Sequence, residues 1–191
     1  MRIAIIGHGN VGSSLERGLG RHHEVRSVGK EPERVRDLAR WGQIVIVAVP
    51  FRAIDAVAAE LGDGANGKPL VDVTNPITPN REFAGSFERS VAETLQAKVA
   101  GAAVVKGFNT MFAEQMATGR ARGQQISLFL AADALDAKQQ VGELGRSIGH
   151  DVVDAGPLAN ARWLEALGYL NIQLGTGPSK LGRDIGFKLV H

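Results

Sequence analysis

Arg2-Ile3-Ala4-Ile5-Ile6-Gly7-His8-Gly9-Asn10-Val11-Gly12 decides the fold. A short β-branched apolar run leads straight into Gly-x-Gly-x-x-Gly, and a helix-compatible segment, Val11-Gly12-Ser13-Ser14-Leu15-Glu16-Arg17, follows. The hexapeptide alone is a weak signal, but strand, glycines and helix in immediate succession are the setting a dinucleotide-binding turn requires. Gly7 permits the tight turn, Gly9 lets the backbone approach a pyrophosphate, and Gly12 lets the helix pack closely on the strand. The unpaired N–H groups and dipole of the helix start attract an anion without a lysine. The competing reading is a plain strand-to-helix turn in some other α/β protein. His8, Asn10 and Val11 are candidates by position within the turn. His8 has two readings, a non-reacting turn residue or one facing pyrophosphate or nicotinamide.

Composition narrows the class. The chain has 191 residues, 44% of them hydrophobic and 22% charged, which is ordinary for one well-buried globular domain. Absence of cysteine excludes disulfides, thiolate metal sites and cysteine nucleophiles, and fits a reducing compartment, so the expectation is a cytoplasmic protein. The apolar run before Gly7 is too short for a signal peptide, and no run reaches the roughly 18 residues of a membrane span. With 22 basic residues scattered among 20 acidic ones, no stripe of the nucleic-acid kind stands out.

The second strand, within 22–28, ends at Val28-Gly29-Lys30. NAD sites commonly place a carboxylate about 20 residues past the glycines to hold the ribose hydroxyls, whereas NADP sites leave room for a phosphate and an arginine. Here no carboxylate sits at the tip, although Glu31 is adjacent; Gly29 and Lys30 are there and Arg34 lies one turn on. NADP(H) is therefore the expected ligand. The alternative is that Lys30, Arg34, Arg36 and Arg40 form a solvated helix face.

Residues 43–49 are a β-branched run ending at Pro50, as expected for a parallel strand buried on both faces. Residues 53–61 read as an amphipathic helix, 70–73 as a fourth strand, and 78–87 as a loop over the carboxyl edge of the sheet. A helix over 90–96, a fifth strand over 102–106, a sixth over 126–131, a helix over 134–148 capped by Gly149, and a seventh strand over 150–154 complete the alternation. In the last helix, 159–174, Trp163, Leu167, Leu170 and Leu174 form the apolar stripe, and Leu164 and Ile172 lie off it, enough for a second side against a partner chain. The expectation is a doubly wound, mostly parallel α/β sheet of the Rossmann type over 1–157, with a small helical appendage over 158–191 in the same compact unit and a homodimer through the last helix.

Five segments, taken together, resemble the F420-dependent NADP reductase family, whose oxidoreductase domain is shared with the STEAP metalloreductases. They are the glycine turn, Ala48-Val49-Pro50, Asp72-Val73-Thr74-Asn75-Pro76, Val105-Lys106-Gly107-Phe108-Asn109-Thr110, and Asp154-Ala155-Gly156-Pro157-Leu158-Ala159-Asn160-Ala161-Arg162. The last two are the most specific. The resemblance implies NADP(H) laid across the carboxyl edge, with Val49 among the residues that bind it and the nicotinamide near Pro50, Asn75, Asn109 and the Ala155-Gly156 turn. It also implies a deazaflavin (coenzyme F420) or flavin stacked on the nicotinamide's exposed face. Family members often carry a serine and an arginine after the position of Gly29, where this chain has Lys30, a point charge and not a bidentate fork.

Hydride transfer between two cofactors asks mainly for proximity and a dry site, so a catalytic acid is not obligatory, and none is recognisable. No metal-spaced cluster or nucleophile with its base is visible; His22-His23 reads as a turn. Asn75 and Asn109 follow strands on the binding edge, where an amide can fix a carboxamide or ribose hydroxyl or simply cap a turn. Met111 and Phe112 read as packing. Two other function classes fit the same nucleotide residues. One is a dehydrogenase for small hydroxy or imino acids, which usually needs an acid or base and a large helical second domain; the other is a non-catalytic NADP(H) sensor.

Overall fold

The computed structural model describes residues 1–190. Four wholly or nearly buried runs form its centre: β1 (Arg2–Ile6), β3 (Ile44–Val47), β4 (Pro69–Asp72) and β5 (Ala103–Lys106). Their β-branched residues fit because both faces of the sheet are covered. β2 (Glu24–Val28) is the edge strand and alternates exposed and half-buried residues up to Val28. All five run parallel in the order β2-β1-β3-β4-β5.

α1 (Asn10–Leu19) covers one face, where Leu15 and Leu19 join Ile3, Ile5 and Ile46 in one core. On the other face, α2 (Val35–Trp41), α3 (Ile54–Leu61) and α4 (Val91–Lys98) bury Val35, Ile54, Leu61 and Leu95 against Ala4, Val45 and Leu70. A capping box starts α4, with the Ser90 hydroxyl accepting from Glu93 N–H and the Glu93 carboxylate accepting from Ser90 N–H. From β1 the chain winds outward to β2, then returns past β1 to β3. The switch in direction between β1 and β3 opens a crevice at their carboxyl ends, the standard ligand position in such sheets.

Beyond β5 come a short α5 (Ala113–Met116) and a small hairpin, β6 (Arg120–Ala121) with β7 (Gln124–Gln125), which the sequence pattern did not reveal. The expected sixth and seventh strands are present as β8 (Ser127–Leu130) and β9 (Asp151–Asp154), with α6 (Leu135–Ser147) between them. They pair parallel with each other and join the main sheet through one antiparallel bridge, Lys106 to Ala131. Gly149 takes φ +91 just after α6, consistent with its capping role.

α7 (Ala161–Thr176) corrects the sequence reading. The Trp163-Leu167-Leu170-Leu174 stripe does not face the core: Trp163 is 60% and Leu170 47% exposed. The buried face is Leu164, Glu165, Gly168, Asn171 and Gly175. Its partner surface is the polar carboxyl edge of the sheet, so small and hydrogen-bonding groups fit there and the apolar periodicity points outward. After α7 the tail lies against β8, where Ser127 N–H donates to Phe187 O (2.9 Å) and Leu189 N–H to Ser127 Oγ (3.0 Å). Among the described residues no helix is long and apolar enough to cross a membrane.

Candidate functional site

The three glycines of the turn have different physical reasons. Gly7 takes φ +111, donates its N–H to Val28 O at 2.8 Å, and has Ala48 carbonyl where a side chain would go. Gly12 has the Gly7 carbonyl in the same place, so no side chain fits between helix and strand. Gly9 is unlike both. Its φ of −86 and ψ of −165 are open to any residue, and an added Cβ would meet no protein atom within 4 Å. Nothing inside the protein demands glycine at position 9; the empty space belongs to the cleft. Gly9 also offers no side-chain cap to α1, and the first turn, Asn10-Val11-Gly12, carries no acid, so the helix start presents donors to an anion.

A cavity of about 440 Å³ opens there. Gly7, His8 and Gly9 line it from the β1 end, Gly29 and Lys30 from the β2 end, and Ala48, Val49 and Pro50 from the β3 end. The His8 ring is anchored at the rim, with Nδ1 2.9 Å from Ser27 Oγ and 3.3 Å from Glu16 Oε2, while Ser27 Oγ also donates to Glu16 at 3.1 Å. Lys30 is exposed on the wall. Arg34 lies outside the lining and gives its guanidinium to Glu31 at 3.2 Å, and Glu31 also accepts from Gly29 N–H at 3.1 Å. The adjacent acid therefore holds Arg34 back from the tip of β2.

The other predicted residues cluster at the far side of the edge. Asn75 Nδ2 donates to Asn109 O (2.8 Å), and Asn109 Nδ2 donates to Asn75 Oδ1 (3.0 Å) and Leu164 O (2.8 Å). Asn109 is 2% exposed, and Gly168 of α7 packs directly on the pair. Both Asn109 donors are thus engaged within the protein, joining the exits of β4 and β5 to α7; Asn75 is half-buried. In the Ala155-Gly156 turn, Gly156 takes φ +88, its N–H donates to Asp154 Oδ1 (2.8 Å), and its carbonyl accepts from Lys138 Nζ (2.8 Å). Asn160 Nδ2 donates to Ala155 O at 2.6 Å. Met111 and Phe112 are buried packing residues.

A buried charge cluster was missed. Lys106 Nζ contacts Asp72 Oδ2 (2.9 Å), Thr74 O (2.6 Å) and Glu165 Oε1 (3.3 Å), all three charged side chains being 0–1% exposed. Glu165 also accepts from Val91 N–H at 3.0 Å, closing the start of α4. Burial pushes the Glu165 carboxyl above its ordinary value, and the Lys106 charge opposes this. Opposite charges closing two apolar strand runs were the available signal for Asp72 and Lys106. Glu165 sits in a helix whose inward face only the tertiary structure reveals. Among the described residues no group of three or more His, Asp or Glu side chains could hold a metal ion.

The comparisons with known proteins converge on this architecture. A candidate F420-dependent NADP reductase from Arthrobacter sp. FB24 superposes with a TM-score of 0.87 at 27% identity, covering 99% of each chain. The chain thus resembles an F420-dependent NADP reductase over its whole length. The metalloreductase STEAP3 of Rattus norvegicus is 30% identical over 180 residues, 87% of this chain and 36% of that protein. The chain thus spans about a third of that relative's length. An imine reductase from Myxococcus stipitatus solved with NADP+ matches at TM-score 0.68 and 18% identity, a likeness of fold. No family model matches the chain.

Proposed function

We propose that this protein is an NADP(H)-linked oxidoreductase that passes a hydride between NADPH and a deazaflavin such as coenzyme F420, or a flavin. Gly9 carries the nucleotide half of this reading. A glycine required by no protein contact, at an uncapped helix start facing a cavity, fits a pyrophosphate pressed against the backbone. When bound, the nicotinamide supplies the hydride. The chain's own residues supply placement: the α1 N–H groups receive the pyrophosphate, Lys30 meets a 2′-phosphate at the β2 end, and Val49 and Pro50 form the apolar wall. The Asn75–Asn109 pair fixes the edge on which the nicotinamide half rests. An acceptor ring delocalises the incoming charge itself, which suits a site without a dedicated acid.

The name of the Arthrobacter relative supports the deazaflavin as acceptor, and the same ring geometry suits a flavin. A cytoplasmic location remains part of the proposal, from the lack of cysteine. So does a homodimer. The exposed α7 face, Trp163 and Leu170, continues into Phe87, 58% exposed and 5.4 Å from the Trp163 ring, and a single helix face of this kind can pair with its own copy about a two-fold axis. Light scattering should give twice the chain mass at micromolar concentration, and a monomer there removes the dimer.

The test of function is titration of the purified protein with NADPH and NADH, followed by mixing with F420, FMN, FAD and ferric chelates while NADPH oxidation is followed by absorbance. Tight NADPH binding with turnover of F420 or a flavin is expected. Failure to bind either nucleotide rejects the reading, and binding without turnover of any acceptor makes the protein a nucleotide sensor.

A further inference from the structure

Phe51-Arg52-Ala53, the single turn after Pro50, separates two cavities. Pro50 and Ala53 line the nucleotide cleft, whereas Phe51, Arg52 and Ile54 line a second cavity of about 290 Å³. The opposite wall of the second cavity is the 84–91 segment, including Ser86 and Arg89. This wall is pinned beside the exit of β4, because Ala84 N–H donates to Pro76 O at 2.8 Å. The second cavity therefore opens on the same carboxyl edge, displaced from the glycine turn toward β4. A dinucleotide with its adenosine end at Lys30, lying across β1 and β3, brings its nicotinamide to that side.

Charge distinguishes this cavity. Among the described residues neither Arg52 nor Arg89 is hydrogen-bonded or ion-paired through its side chain, and both are exposed. Of the nearby acids, Asp55, itself in the lining, pairs with Lys98 at 3.3 Å, and Glu93 pairs with Arg162 at 2.6 Å and with Ser90, while Glu88, beside Arg89 in the chain, lies outside the lining. The start of α4, which borders the cavity, already has its N–H groups accepted by Ser90 and Glu165. The unsatisfied capacity is thus two guanidiniums with fixed donor forks, over an apolar floor of Phe51, Ile54 and Val91.

We propose that this cavity is the subsite for the anionic side chain of the hydride acceptor, a phosphate- or carboxylate-bearing extension held by Arg52 and Arg89 while the ring faces the nicotinamide. The assignment rests on the function proposed above and adds selectivity to it: the protein distinguishes acceptors by their tails as well as by their rings. The tail is a second point of attachment, and it fixes the ring's approach, since the ring alone offers the protein little to grip.

Two acceptor pairs isolate the tail: FMN against riboflavin, and F420 against its deazaflavin core without the phosphate-bearing tail. At saturating NADPH, kcat/KM for the tailed member of each pair should exceed that of the tail-less member by about tenfold, the scale of one charge-assisted contact at a half-open site. Arg52→Gln and Arg89→Gln should each collapse that ratio several-fold, through KM more than kcat. Quenching of flavin fluorescence by the NADP+-loaded protein reads the same ratio without turnover. Equal rates for both members in the wild type, or a ratio that survives both substitutions, overturns the subsite while NADPH oxidation by either ring leaves the function standing. NADPH oxidation by none of the four acceptors removes the function itself, and the subsite with it.

Discussion

Lys106 Nζ lies 2.9 Å from Asp72 Oδ2, and the two residues stand in register at the carboxyl ends of β5 and β4 with neither side chain exposed. A charge pair at this depth is retained only where further hydrogen bonds satisfy it, and here Thr74 O and Glu165 do so. The cluster ties β4, β5, α4 and α7 at one point beneath the binding edge.

Removing the cation should be costly. Lys106→Met leaves two buried carboxylates without a compensating cation and is expected to lower the unfolding free energy by about 3–5 kcal/mol. Adding Glu165→Gln should recover part of the loss. Urea denaturation of the two variants checks both statements, and a loss under about 1 kcal/mol for Lys106→Met would show that the pair is not the anchor described.

The glycines should separate stability from binding. Gly9→Ala has room and an ordinary backbone conformation, so its stability should stay within about 1 kcal/mol of the parent or rise slightly. Its NADPH affinity should fall by at least about tenfold, because the methyl group occupies the cleft. Gly12→Ala should instead destabilise the fold, because the Gly7 carbonyl already fills the space. Thermal melts and NADPH titrations of the same two proteins test the contrast; unchanged NADPH binding by Gly9→Ala would contradict it.

Cofactor choice should respond to the tip of β2. Lys30→Ala is expected to weaken NADPH more than NADH, and Lys30→Ala with Arg34→Ala more still. Because Glu31 engages Arg34 at 3.2 Å, Glu31→Gln should release the guanidinium and strengthen NADPH relative to NADH. Equal changes for both nucleotides across the series would remove the 2′-phosphate assignment from this corner.

Stability should fall as the solution becomes mildly acidic. His150 is buried; its Nε2–H donates to Met116 O at 3.2 Å, while its Nδ1 has no partner among the described residues. Burial pushes its pKa below 6.5, and the Met116 carbonyl opposes this only in part. The unfolded chain thus takes up a proton first, so this contribution is intact above about pH 6.5 and is lost as pH falls through the lower folded value. His23 shifts the same way through burial, with repulsion from the N-terminus and His22. Urea midpoints between pH 8 and pH 5 should decline, and His150→Gln should flatten the decline; a slope unchanged in that variant would place the titration elsewhere.

A second acid effect lies lower. Arg162 holds the Glu93 carboxyl at about 2, against an ordinary 4.5, helped by Ser90. Its stabilisation is present above pH 4.5 and disappears as pH falls toward 2, so Arg162→Ala should shift the acid-unfolding midpoint upward. An unmoved midpoint would deny the pair that role.

Gly7 and Gly12, and the buried runs of β1, β3, β4 and β5, were legible in the chain because short-range physics governs them. Backbone conformation and a continuous apolar run need only neighbouring residues. The alternation of strands and helices then placed the cleft at the carboxyl edge, and five spaced segments carried the family resemblance. What local pattern could not reveal was direction. The α7 periodicity was correctly seen as apolar, yet it faces outward, because the surface that receives the helix is made of Asn75, Asn109 and the Lys106 cluster and favours Leu164, Glu165 and Gly168. The same packing engages the Asn109 Nδ2 group, and Arg52 and Arg89 are left with no partner among the described residues beside a second cavity. By itself the sequence determined that there is a sheet edge able to receive a dinucleotide. Which side chains are engaged there and which are left facing outward depends on contacts between residues far apart in the chain, and only the tertiary structure decides it.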